Sequence, residues 1–72
     1  MMSADLSSHE IRDLEILIDH HSLSELLSAL SYICSEKAVH IATAYQDTKT
    51  AKWWLGMSQR IDTLRERAAR ND

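Results

Sequence analysis

The chain contains no proline and a single glycine, Gly56, among its 72 residues. Proline and glycine are the residues that most strongly interrupt helices and punctuate turns. Their near absence leaves long segments that nothing breaks, and the sequence is rich in Leu, Ala, Glu, Lys and Arg, which favour helix. The sequence therefore predicts an all-α protein.

Two Ser-x-x-Glu patterns predict where the first two helices begin. Ser7 stands three positions before Glu10, and Ser22 stands three positions before Glu25. In a capping box of this kind the serine hydroxyl and the glutamate carboxylate satisfy backbone N–H groups that the first helical turn leaves open. Each pattern precedes a segment whose apolar residues recur at helical spacing, so two successive helices are expected.

A third helix follows a short connection at residues 46–48. Gln46-Asp47-Thr48 interrupts the apolar spacing, and Asp47 or Thr48 can cap the helix that follows. Because the connection is short, helices two and three should form a long antiparallel hairpin, in which we expect Lys37 to face Ser58. The predicted helices span about residues 8–19, 23–45 and 49–69, in one small domain whose ends are frayed.

Large apolar side chains define the expected core. In the third helix they are spaced by three and four residues, as in the seams along which helices pack nearly antiparallel. Trp54 is expected to be the first large side chain of the hairpin core. The predicted core comprises Ile11, Leu14, Leu17, Leu23, Leu27, Leu30, Ile33, Cys34, Ile41, Trp54, Met57, Ile61 and Leu64.

The small size of the chain predicts self-association. A chain of this length buries only about 60% of its unfolded surface, and small domains usually add disulfides, a metal or a partner to compensate. Cys34 is the only cysteine, so no internal disulfide can form, which also favours a reducing compartment. We therefore expect a homo-oligomer, most simply a dimer, that completes a helical bundle.

Nothing in the sequence indicates export or a membrane. The first ten residues, MMSADLSSHE, lack a basic region followed by an apolar run, and no apolar stretch approaches the roughly 20 residues of a membrane span. We expect a cytoplasmic protein without a membrane partner.

Charge is divided unevenly along the chain. Residues 1–48 carry a net charge of −6 and residues 49–72 a net charge of +3. Within the basic part, Lys49, Trp53, Arg60 and Arg67 recur at helical spacing on a flank that contains no acid and includes Gly56. This flank is the candidate contact surface, because Trp and Arg dominate the energetics of interfaces.

Two occupants of this flank remain open. The first is protein: helix one or a second protomer could cover it with acidic residues. The second is an anion such as a nucleotide, on which Trp53 would stack while the basic residues neutralise phosphate.

Catalytic, metal-binding and DNA-binding functions receive little support. Lys37 and Cys34 have no second catalytic group near them in the pattern, and no glycine-rich loop or nucleophile elbow is present. Glu36 and His40 are spaced i,i+4, but no tetrahedral ligand set assembles within one chain. The net charge of −3 weakens attraction to DNA. We expect no enzyme, no cofactor and no metal.

The segment from Leu26 to Leu64, which contains ICSEKAVHIATAYQDTKTAKWW, resembles very small helical proteins found in cyanobacteria and their phages. The resemblance rests on the Cys34-to-Lys37 run, the Gln46-Asp47 turn and the segment from Ala51 to Trp54. It implies a helical hairpin and no particular activity. In gross shape the chain is also similar to phage proteins that sequester cyclic nucleotides as oligomers of hairpins, although no binding motif of theirs is matched.

The sequence thus favours a small non-catalytic interaction protein, an adaptor or modulator that acts as a helical oligomer and binds a protein partner. The alternative is a binder of a small anion, such as a nucleotide, at an oligomer interface.

Overall fold

The computed structural model describes residues 6–71 and is helical, with no strand in that range. The predicted all-α class and three-helix order are confirmed, and each predicted bound lies within one residue of the observed one. Most of the fraying expected at the chain ends falls on residues 1–5 and 72, outside the described residues. The helices are α1 (Ser8–His20), α2 (Leu23–Ala44) and α3 (Thr48–Ala69).

The two predicted capping boxes differ. At α1 both halves form: the Ser7 backbone N–H donates to Glu10 Oε1 at 2.8 Å, and the Glu10 backbone N–H donates to Ser7 Oγ at 3.2 Å. At α2 the Glu25 backbone N–H donates to Ser22 Oγ at 3.1 Å, but the Glu25 carboxylate lies 3.4 Å from that hydroxyl, so only half of the expected box forms.

A tight connection joins α2 and α3. Tyr45 ends α2, Gln46 adopts a left-handed conformation with φ of 54°, and Asp47 caps α3 by accepting a hydrogen bond from the Thr50 backbone N–H at 3.1 Å. The reversal within three residues brings α2 and α3 together along their length, as expected of a hairpin.

Small residues form the seam between α2 and α3. Ser31 and Ala38 on α2, and Ala51 and Ser58 on α3, are buried, and each pair is separated by seven residues. Leu27 is the other buried apolar residue of the described chain. Side chains this short allow the two backbones to approach closely, so the hydroxyl of each serine reaches the backbone carbonyl of the other.

The predicted register was wrong. Ser58 faces Ser31, with 2.9 Å between the two hydroxyl oxygens, whereas Lys37 lies beside Trp54, its Nζ 5.6 Å from the ring centroid. The prediction placed Lys37 opposite Ser58 from the position of the turn alone. The seam is instead set where small side chains let the helices meet and where two buried hydroxyls find partners.

Within the single chain, little of the core predicted for the bundle is buried. Leu27 alone among its residues is buried. Leu14, Cys34, Ile41, Trp54, Met57 and Ile61 are half-buried. Because small residues occupy the seam, most of the large ones are displaced to its side. Between 39% and 56% of the following side chains is exposed: Ile11, Leu17, Leu23, Leu30, Ile33 and Leu64.

Helix α1 packs only against the beginning of α2. Leu17 and His21 face Glu25, Leu26 and Ala29 across a cavity of about 290 Å³. Among the described residues α1 makes no contact with α3, and none of its own residues is buried. Helix α1 therefore leaves α3 and most of α2 uncovered.

Candidate interaction surface

A broad apolar face runs along one side of the hairpin. Viewed along its own chain direction, each helix has residues clockwise of the seam and residues counter-clockwise of it. In an antiparallel pair, the clockwise residues of both helices lie on one side of the hairpin and the counter-clockwise residues on the other. On this side large apolar residues from both helices are exposed or half-buried. We call them the apolar face: Leu23, Leu30, Ile33, Ile41, Trp54, Met57, Ile61 and Leu64.

Lys37 lies on the apolar face without being buried in it. Its ammonium lies over the Trp54 ring, and the Lys37 side chain is exposed to solvent. A lysine that packs its stem on apolar surface and keeps its charge in water is structural. The contact that the structure gives Lys37 is therefore the one with the Trp54 ring.

The four predicted contact residues share the outer side of α3. Lys49, Trp53, Arg60 and Arg67 are all exposed, 57% of Trp53 being accessible. We call these residues, together with Gly56, the basic stripe. It points away from α2, because its residues lie about half a turn from Ser58 on the helix. Of the two protein occupants that the sequence left open, α1 of the same chain does not cover this flank, since α1 packs on α2.

The two tryptophans join the basic stripe to the apolar face. Their rings meet edge to face, with centroids 5.0 Å apart and planes at 87°. Trp54 is half-buried beside the seam, whereas Trp53 stands at the edge of the face. Adjacent positions on a helix point about 100° apart, so Trp54 belongs to the apolar face and Trp53 to the basic stripe.

Gly56 has no structural explanation within the part of the chain that the structure describes. Its φ is not positive, so the backbone does not demand glycine. A Cβ added at this position would meet no atom within 4 Å. The close neighbour that the sequence led us to expect is therefore not supplied by the described residues.

The opposite side of the hairpin carries a groove that the sequence reasoning missed. It encloses about 310 Å³ near the turn, and its lining is mostly apolar. One signal was available: α2 bears exposed apolar residues outside the predicted stripe, Val39 among them. The groove is lined by Ser35, Ala38, Val39, Ala42, Thr48, Ala51, Lys52 and Leu55.

No three His, Cys, Asp or Glu residues within 6–71 lie close enough to hold a metal ion. Hydrogen bonds from Ser7 lower the pKa of Glu10, and hydrogen bonds from Thr50 lower the pKa of Asp47. Both carboxylates cap helices, so these shifts have a structural cause. Within the same residues, no helix is both long enough and apolar enough to cross a membrane.

Comparison with known proteins gave no match to a family model, and no curated protein or solved structure matched significantly. The resemblance to small helical proteins of cyanobacteria and their phages stays a prediction.

Proposed function

We propose that this protein is a small non-catalytic interaction module that acts as a homodimer, in which two hairpins pack through their apolar faces. The single observation that carries the proposal is the apolar face itself, which neither α1 nor the seam covers. Contiguous exposed apolar surface of this extent is typical of interaction sites.

The exposed area supports the same proposal. The chain exposes 5830 Å² for a mass of 8.2 kDa, whereas the scaling of folded monomers gives about 4500 Å². A standard interface removes about 800 Å² from each partner. The excess is large enough for such an interface even when the chain ends account for part of it.

The arrangement of the hairpin suits a four-helix bundle. Two hairpins stacked face to face would place Leu30 and Ile33 of one copy near Met57 and Leu64 of the other, in a core of bundle type. Lys37 reaches the edge of this core and keeps its charge hydrated. The large side chains that the single chain leaves exposed would then be buried.

The basic stripe is proposed to bind the partner through Lys49, Trp53, Arg60 and Arg67. An exposed tryptophan flanked by basic residues fits an acidic protein surface. The groove near the turn and the cavity beneath α1 are lined by other residues, so they offer no enclosed pocket for an anion at this stripe.

The proposal is tested by a matched pair of leucine substitutions on α3. Leu64 lies on the apolar face and Leu55 on the groove side, and their exposures are 51% and 45%. In Leu64→Glu a charge enters the dimer core, and light scattering after size exclusion should show a monomer. Leu55→Glu should leave the dimer intact, and circular dichroism should show helix in both variants.

A monomeric wild-type protein, or equal effects of the two substitutions, would overturn the proposal. Native mass spectrometry separates it from the anion-binding alternative. We expect twice the chain mass and nothing more, whereas an added mass that vanishes on denaturation would reveal a bound ligand and favour that alternative.

A further inference from the structure

The basic stripe is a surface that no other element of the described chain covers. Its charged members, Lys49, Arg60 and Arg67, are all basic, and Trp53 stands among them more than half exposed. The stripe spans residues 49–67, or about 27 Å of helix at 1.5 Å per residue. It borders the apolar face at Trp53, so a second copy seated on that face lies next to it.

Gly56 points independently to a close contact on this stripe. A glycine within a helix costs about 1 kcal/mol relative to alanine. Neither its backbone conformation nor any neighbour among residues 6–71 requires it. A helix that packs over this position from another molecule would use the missing side chain to approach closely, since small residues let helix backbones meet.

Helix α1 has the complementary properties. Within Ser8–His20 four acids stand against Arg12, a net charge of −3. Its apolar ridge is only partly covered: Ile11 is 56% exposed, and Leu17 is 45% exposed although it lines the cavity against α2. Its length of 13 residues corresponds to about 20 Å, which fits within the stripe. The acids of α1 are Glu10, Asp13, Glu15 and Asp19.

The two surfaces do not meet within one chain in this fold. Only His21 and Ser22 connect α1 to α2, and the stripe lies on the far side of the hairpin from α2. A two-residue link spans at most about 7 Å. With α1 packed on α2, an α1 that covers the stripe comes from another chain.

We propose that α1 of each protomer packs across the basic stripe of a second copy, with its apolar ridge over Trp53 and Gly56 and its acids beside Arg60 and Arg67. The inference rests on the proposed homodimer and names the occupant of its contact surface. This exchange of α1 between the two copies joins them at the edge of the dimer, and we call the exchanged α1 the clasp. Its ion pairs are exposed, so added salt weakens the clasp.

The decisive experiment mixes two charge-reversed full-length chains. Arg60→Glu/Arg67→Glu reverses the stripe, and Glu15→Arg/Asp19→Arg reverses α1. Each variant alone pairs like charges at both of its α1 contacts. In a heterodimer of the two variants, both contacts pair opposite charges. Native mass spectrometry of the equimolar mixture at low salt should therefore show heterodimers well above the statistical half.

A matched control separates this contact from general attraction between oppositely charged chains. Lys52→Glu/Arg70→Glu changes the charge of the α3 segment by the same amount, on the neighbouring flank that faces the groove. Mixed with the α1 variant, it should give close to the statistical distribution. Hydrogen exchange should also show α1 amides protected in the wild-type dimer and exposed in Arg60→Glu/Arg67→Glu.

Each outcome decides the inference. Statistical mixing of the stripe and α1 variants, with dimers intact, overturns the exchange and leaves the proposed homodimer standing. Equal heterodimer enrichment with the Lys52→Glu/Arg70→Glu control also overturns it, because the attraction between the chains then does not depend on the basic stripe. A wild-type protein that is monomeric overturns the proposed function itself, and the exchange falls with it.

Discussion

Ser31 and Ser58 hold α2 and α3 together through a reciprocal hydrogen-bonded pair at the buried seam. Ser31 Oγ donates to the Ser58 carbonyl at 3.1 Å, Ser58 Oγ donates to the Ser31 carbonyl at 3.0 Å, and the hydroxyls lie 2.9 Å apart. Two hydrogens are shared among three short contacts, so the hydroxyls cannot be treated as independent. The pair fixes the register of the hairpin, because a shift along either helix would leave buried hydroxyls unsatisfied.

Removing the two hydroxyls, singly and together, should show that their contributions to the free energy of unfolding are coupled. Ser31→Ala and Ser58→Ala should each lower the free energy of unfolding by about 1 kcal/mol, since each removes a buried hydrogen bond. The double variant should cost less than the sum of the two by about 0.5 kcal/mol or more, because both single changes remove the same hydroxyl contact. Urea unfolding measures the cycle. Ser28→Ala, at an exposed position of α2, is the control, and strict additivity would contradict the coupling.

Gly56→Ala should stabilise the isolated chain. A Cβ fits in open space and alanine is the better helix former, so the free energy of unfolding should rise by about 1 kcal/mol. The measurement belongs in the Leu64→Glu background, where the proposed dimer does not contribute. Gln59→Ala, on an exposed part of α3, should gain less because glutamine already favours helix. A loss of stability in the monomer would show a crowded site.

Gln46→Gly should strengthen the turn. Gln46 has φ of 54°, which costs an L-residue roughly 1–2 kcal/mol, and glycine removes that cost at the expense of a more flexible unfolded chain. We expect a net gain of about 0.5–1 kcal/mol in thermal or urea unfolding. At Tyr45, whose φ is −112°, the same change to glycine should destabilise. A gain in stability at both positions would contradict the assignment of left-handed strain to Gln46.

Acid should weaken the helix caps in a defined way. Their hydrogen bonds lower the pKa of Glu10 and Asp47 in the folded chain from ordinary values of 4.5 and 3.8. The stability they contribute is therefore present above those values and is lost as the pH falls through the lowered pKa values. Glu10→Gln/Asp47→Asn retains hydrogen-bond acceptors but does not titrate. Thermal unfolding between pH 7 and about pH 2.5 should show a shallower acid decline for this variant, and an unchanged slope would refute the assignment.

Trp53→Ala should weaken the dimer without unfolding the chain. The ring is 57% exposed and lies where the apolar face meets the basic stripe, so a partner should bury it further. We expect the dimer dissociation constant to rise about tenfold or more in sedimentation measurements, with helix content retained. Tyr32→Ala, at a 66% exposed aromatic residue of α2, is the control. Equal effects of Trp53→Ala and Tyr32→Ala on the dissociation constant would show that Trp53 does not lie in the interface.

The local sequence determined which segments become helices and where they end. Proline is absent, serine and aspartate stand at the caps, and Gln46-Asp47 falls where the apolar spacing lapses, so the bounds followed from interactions within a few residues. The members of the basic stripe were equally predictable, because residues on one helix share a face by spacing alone. These properties depend on neighbours along the chain.

Only the tertiary structure decided which faces meet. Periodicity identified stripes of large apolar residues, but it could not show that Ser31, Ala38, Ala51 and Ser58 would form the seam and displace those stripes to the side. Closest approach depends on side chains from both helices at once, and the position of α1 depends on the angle at a two-residue link. The same displacement leaves Leu30 and Leu64 exposed, so the surface available to a partner was decided by packing and not by sequence pattern.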